Sequence, residues 1–141
     1  MSRRSQIVSG LEQVPLFASC SKRERGIIAR HMEVVTVAEG TEVMAEGEAG
    51  DAFYTVLEGS VQLARGGRRI GTLGEGESFG ELALLDPGPR NATVVATAPT
   101  SLGVLGARVF SVLLKELPNM SDKLLRAMAK RLREADAKTV Q

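Results

Sequence analysis

The chain has 141 residues, 43% of them hydrophobic and 25% charged, and its 18 Lys+Arg against 17 Asp+Glu leave a formal charge of +1. That length suits one domain, and the near cancellation of charge excludes a general attraction to nucleic acid or anionic membrane. A lone Cys20 and a lone His31 exclude an internal disulfide, a multi-cysteine metal site and most His- or Cys-based catalysis, and no apolar run approaches the roughly 20 residues that span a bilayer.

A cytoplasmic protein without contact to membrane is therefore expected, and residues 1–33 read as two short helices. Ser21-Lys22-Arg23-Glu24 has the S-x-x-E spacing of a capping box ahead of Ile27 and Ile28. His31 falls at the end of that helix, where a positive imidazole is favourable, and Cys20, just before the cap, reads as a small packed side chain.

From Val34 to Leu105 the texture is short β-rich runs punctuated by glycine. Strands are expected over Val34 to Val37, Glu42 to Met44, Phe53 to Leu57, Val61 to Ala64, Ile70 to Leu73, Thr93 to Ala96 and Leu102 to Leu105. Their spacing is that of an antiparallel sandwich or barrel, and Gly66-Gly67 is the sharpest hairpin signal because a two-residue primed turn demands positive φ. Helical texture resumes over Ala107 to Leu117, and Pro118 suits the first turn of a last helix. In that helix Leu124, Met128, Leu132 and Ala135 form an apolar stripe with Leu125 alongside, and Lys123, Arg126, Lys130 and Arg133 form a solvated basic face. The stripe has two candidate partners, the β region and a second copy of the chain.

Residues 74–93 carry the chemistry. Gly74, Gly76 and Gly80 miss the G-x-G-x-x-G fingerprint because Phe79 stands in the third position, and no Walker lysine follows. What remains is a glycine turn, a helix of one to two turns from Gly80 to Leu85, a Pro87-Gly88-Pro89 brake, and Arg90 ahead of a strand. Exposed N–H groups at a helix start favour an anion, Gly80 permits close approach, and the fork of Arg90 grips two phosphate oxygens at once. Glu81 would repel a bare phosphate, so in this reading it faces a neutral hydroxyl, and the ligand joins one phosphate to a ribose. A second reading stands beside it: Ser78-Phe79-Gly80-Glu81 is itself S-x-x-E, which makes Glu81 a cap and Arg90 a surface cation.

Phe79-Gly80-Glu81-Leu82-Ala83-Leu84-Leu85 followed by Pro89-Arg90-Asn91-Ala92-Thr93 closely resembles the phosphate-binding cassette of the cyclic nucleotide-binding domain family. Pro15-Leu16-Phe17, Glu46-Gly47-Glu48-Ala49-Gly50-Asp51 before Phe53-Tyr54, Glu58-Gly59-Ser60-Val61 and the closing amphipathic helix extend the resemblance over nearly the whole chain. It implies a mainly β fold with flanking helices. One domain over 1–141 would hold an eight-stranded antiparallel, jelly-roll-like β-roll at 34–105, with the cassette at 79–93 and C-terminal helices at 106–141.

By the same resemblance, Glu81 accepts from the ribose 2′-hydroxyl and Arg90 neutralises the cyclic phosphate. The amides of Gly80, Leu82 and Ala83 complete the cradle, and Asn91 and Ala92 follow the arginine. Leu63, Ile70 and Leu73 are candidates for the wall under the base, with Leu124, Met128 or Arg131 covering it from the last helix. Family members selective for cGMP often carry Thr after the arginine and kinase subunits carry Ala; with Asn91 here, cAMP is the expected ligand and cGMP the alternative. The catabolite activators hold adenine with a Thr-Ser pair, where this chain has Ala135-Asp136. A regulatory module without catalysis, cofactor or metal is expected, its output the last helix; the alternatives are the sensor half of a catabolite-activator-type transcription regulator and a non-binding dimerisation module, and a homodimer through the last helix is one candidate association. Nine residues after Leu132 are too few for a helix-turn-helix, so specific DNA binding by this chain alone is not expected.

Overall fold

The structure is a computed structural model and describes residues 2–139. Helix α1 (Arg3–Glu12) starts at Ser2, whose hydroxyl accepts from the N–H of Ser5, and α2 (Lys22–Arg30) starts at Ser21. The expected capping box forms in full: the Glu24 N–H donates to Ser21 Oγ at 3.0 Å and the Ser21 N–H to Glu24 Oε1 at 2.7 Å. Two donors that a helix start leaves orphaned are thereby satisfied. His31 Nδ1 lies 2.9 Å from the Ile27 carbonyl, which only accepts, so the imidazole donates and the histidine closes the helix. Cys20 is buried, and burial pushes its thiol above the ordinary value, which fits a packed side chain rather than a nucleophile.

Among the described residues the strands are β1 (Glu33–Val37), β2 (Glu42–Met44), β3 (Ala49–Gly50), β4 (Ala52–Glu58), β5 (Val61–Arg65), β6 (Arg68–Leu73), β7 (Ser78–Phe79), β8 (Gly88–Pro89), β9 (Thr93–Ala96) and β10 (Thr100–Gly106). They pair antiparallel in two four-stranded sheets, ordered β1-β10-β4-β7 and β2-β9-β5-β6, and β3 and β8 add a two-stranded ribbon. Gly66 and Gly67 both take positive φ, 60° and 76°, at the β5–β6 hairpin, as its turn type demands. The Pro87-Gly88-Pro89 segment does more than stop a helix. Gly88 and Pro89 form an edge strand on Gly50 and Ala49, a place where proline's missing donor is tolerated.

Side-chain alternation along β4 divides the core in two. Tyr54 and Val56 point into the roll with Met44, Val61, Phe79, Val94 and Leu102, whereas Phe53 and Leu57 point outward under the helices with Leu105. Phe17 meets the rings of Phe53 and Phe110 edge-on at 5.7 and 5.8 Å, so the outer face of the first sheet is closed by α1, α2 and α3 (Ala107–Glu116).

The closing helix α4 (Met120–Thr139) departs from expectation in two ways. Pro118 lies in the turn before it rather than in its first turn, because Asn119 takes φ 73° and its carbonyl receives the N–H of Lys123. The apolar stripe also splits: Met120, Leu124 and Ala127 are buried with Met128 packed against them, while Leu125 and Leu132 stay 66% and 71% exposed. Nor is the basic face uniformly solvated, since Lys123 Nζ donates to Glu24 Oε1 at 2.6 Å and ties α4 to the cap of α2. No helix among the described residues is long and apolar enough to cross a membrane.

Candidate functional site

After β7 the chain turns at Gly80 and enters a 3-10 helix over Glu81–Leu84. Gly80 holds φ +83°, a conformation that suits glycine, and a Cβ there would stand 2.9 Å from the Ala52 carbonyl and 3.1 Å from Arg90 Nη1. The capping reading of Glu81 is not realised: Gly80 is the N-cap with no side-chain cap bond, and Ser78 Oγ is buried without a partner. The tight helix also commits one of the expected cradle amides, because the Ala83 N–H donates to the Gly80 carbonyl at 3.2 Å.

Arg90 is delivered by the β3–β8 ribbon. Its N–H donates to the Glu48 carbonyl and its carbonyl accepts from the Gly47 N–H, both at 2.8 Å, so the backbone is clamped from both sides. The guanidinium donates through Nη2 to the Ala52 carbonyl at 2.8 Å and lies 5.9 Å above the Tyr54 ring, which stacks on Phe79 at 5.0 Å and 16°. The next residue is tied as well: Arg65 Nε donates to the Asn91 carbonyl at 2.8 Å. Glu46 accepts from the Gly66 N–H at 2.8 Å and donates its own N–H to Thr93, fastening the β5–β6 hairpin beside the cassette.

Glu81 and Arg90 open onto one cavity of about 300 Å³, a volume at the lower end of small-molecule sites. Of the residues expected from sequence, Gly80, Glu81, Leu82, Ala83, Arg90, Asn91 and Arg131 line it. Arg131 reaches in from α4, with Nη1 3.6 Å from Glu81 Oε1; that nitrogen is buried and has no hydrogen-bond partner, a donor left open at the cavity. Asp86, Gly88 and Pro89, inside the expected cassette but not named as ligand contacts, also line it, as does Met44, which carries no site signal in the sequence. Ala92 is buried outside the lining, Ile70 is 48% exposed on β6, and Leu63 and Leu73 pack on the interior of the roll. A larger hollow of about 510 Å³ lies on the other side of Glu81, lined by Gln13, Leu73, Glu75, Glu77 and Ser78 among others. Its lining has three carboxylates and no cation, which makes it unsuitable for a phosphate.

Comparison with family models decides the membership. Residues 34–116, more than half of the chain, match the model described as the cyclic nucleotide-binding domain. The chain belongs to the cyclic nucleotide-binding domain family. Curated relatives of this cyclic nucleotide-binding domain include a cAMP-dependent protein kinase regulatory subunit of Yarrowia lipolytica, 40% identical over 79% of this chain and 30% of the relative. The cyclic AMP receptor protein of Thermus thermophilus is 36% identical over 86% of this chain and 59% of its own length. The chain thus spans less than two thirds of either. Among solved structures, the N-terminal domain of a transcriptional regulator from Streptomyces coelicolor A3(2) superposes with a TM-score of 0.84 at 36% identity, covering 92% of this chain and 94% of that one. A mainly β roll with flanking helices is therefore the family fold.

Proposed function

We propose that this chain is a regulatory sensor for a cyclic purine nucleotide, cAMP in the first place and cGMP in the second, and that it carries no catalysis. The observation that supports the reading best is the convergence of Glu81, Arg90 and Arg131 on one cavity at the head of the 3-10 helix. Arg90, pre-oriented by Ala52 and Tyr54, meets the phosphate monoanion, and Glu81 accepts from the ribose hydroxyl. Arg131, whose Nη1 makes no hydrogen bond and only a long ion pair to Glu81, covers the nucleotide from α4. Leu63, Val94 and Met44 share one line of register across β5, β9 and β2, and of the three Met44 reaches the cavity as an apolar edge for the base.

The ligand acts by binding one conformation better than another, and α4 is the element that feels the difference, since Arg131 lies on it. A melting experiment with cAMP, cGMP and 5′-AMP tests this. A ligand at about 100 times its Kd adds roughly 2.7 kcal/mol, so cAMP is expected to raise the melting temperature by several degrees and 5′-AMP by less. No rise with any of the three would overturn the reading.

A second reading is favoured by the likeness to the Streptomyces domain: this chain serves as the sensor portion of a transcription regulator, with the exposed Leu125 and Leu132 pairing two copies through α4. Such a regulator would bind DNA through segments other than the ones described here. A sequence-selective, salt-sensitive gel shift by this chain alone would contradict that division of labour.

A further inference from the structure

Strand β3 is two residues long, and its second residue, Gly50, pairs with Gly88 across the ribbon that delivers Arg90. The arginine side chain passes directly over this residue. An ideal Cβ on Gly50 would stand 1.7 Å from Arg90 Nε, 2.3 Å from Cζ and 2.5 Å from Cδ, where ordinary contacts begin at about 3.5 Å. Even a methyl group is incompatible with this pose. The backbone does not ask for glycine here, because Gly50 is not among the residues with positive φ and lies in a strand conformation open to any amino acid. Space for the arginine is therefore the physical reason for the glycine.

The side-chain contacts of Arg90 are made from that passage. Lying across Gly50, the guanidinium donates to the Ala52 carbonyl and sits over Tyr54 while fronting the cavity. We propose that Gly50 is a positioning residue for anion recognition: its missing side chain holds open the path by which Arg90 presents its fork to the ligand. An added methyl would strike the flexible arginine rather than the fixed backbone, so the arginine yields and the strand persists. This inference rests on the cyclic nucleotide reading for its binding consequence, but not for its steric one.

The experiment compares the parent with Gly50→Ala, Arg90→Ala and the double variant by calorimetry with cAMP and by thermal melting. Gly50→Ala is expected to fold and to bind cAMP about tenfold or more weakly, and the double variant to bind no more weakly than Arg90→Ala alone. The pose is read without ligand from the Arg90 Nε–H resonance, assigned by its loss in Arg90→Lys and expected to move in Gly50→Ala. That measurement stands even if the parent binds no cyclic nucleotide, which would defeat the functional reading alone. Should Gly50→Ala fail to fold while Arg90 is present, the double variant is expected to fold, because truncating the arginine frees the space. Parental cAMP affinity in Gly50→Ala, an unmoved Arg90 resonance, or an equal loss of stability with and without Arg90 would each overturn the proposal.

Discussion

At the scale of single residues, the two arginines of the cavity are held very differently. Arg90 is fixed by its own backbone clamp, by the Ala52 carbonyl and by a stacked ring, so its orientation costs the ligand little entropy on binding. Arg131 has only a long ion pair, from its buried Nη1 to Glu81 at 3.6 Å, and that nitrogen makes no hydrogen bond. Replacing Arg90 with alanine removes a charge-assisted hydrogen bond of about 1.5–3 kcal/mol, and cAMP affinity by calorimetry is expected to fall about tenfold or more. Glu24 makes a separate prediction. Burial pushes its carboxyl up, but hydrogen bonds from Lys123 and the Ser21 N–H, with the Lys123 charge, outweigh burial and hold it below the usual 4.5. A carboxyl lowered by folding stabilises the native state above its ordinary value, and that contribution fades as pH falls through the folded one. Between about pH 6 and pH 3 the parent's melting temperature is expected to drop more steeply than that of Glu24→Gln, as read by calorimetry.

At the scale of elements, α4 divides into two functional halves. Its first half is anchored by Met120, Leu124 and Ala127 and by the Lys123–Glu24 pair, which links it to a helix 99 residues earlier in the chain. Lys123 is one-third exposed, so Lys123→Met is expected to cost only about 1 kcal/mol in urea unfolding. Its second half carries Leu132, which with Leu125 keeps a seven-residue spacing on an uncovered face. Sedimentation is expected to show a concentration-dependent dimer that the Leu125→Glu/Leu132→Glu variant abolishes. Both side chains are largely exposed, so the monomeric variant should melt near the parental monomer; a monomeric parent at high concentration would end that reading.

At the scale of the whole molecule, stability and recognition draw on different cores. The outer core, centred on Phe17 against Phe53 and Phe110, fastens the helices to the first sheet, and Phe17→Ala is expected to cost about 3–5 kcal/mol in urea unfolding. The inner core of the roll holds Phe79, which supports Tyr54, which in turn supports Arg90, so packing inside the roll helps to set the orientation of that guanidinium.

Much of this was legible in one dimension. The longer strands announce themselves by β-branched runs between glycines, the α2 cap by its S-x-x-E spacing, and the placing of Glu81 and Arg90 on one cavity by the cassette itself. All of these signals are local, written in neighbouring residues. The two-residue strands β3, β7 and β8 have too few positions to show a period, and exist because of partners tens of residues away. For the same reason only the folded chain decides that Arg90 crosses Gly50, that Arg131 meets Glu81, that Lys123 leaves the basic face for Glu24, and that half of the α4 stripe stays uncovered. Local chemistry selects which groups are available to bind; distances across the fold determine which of them meet.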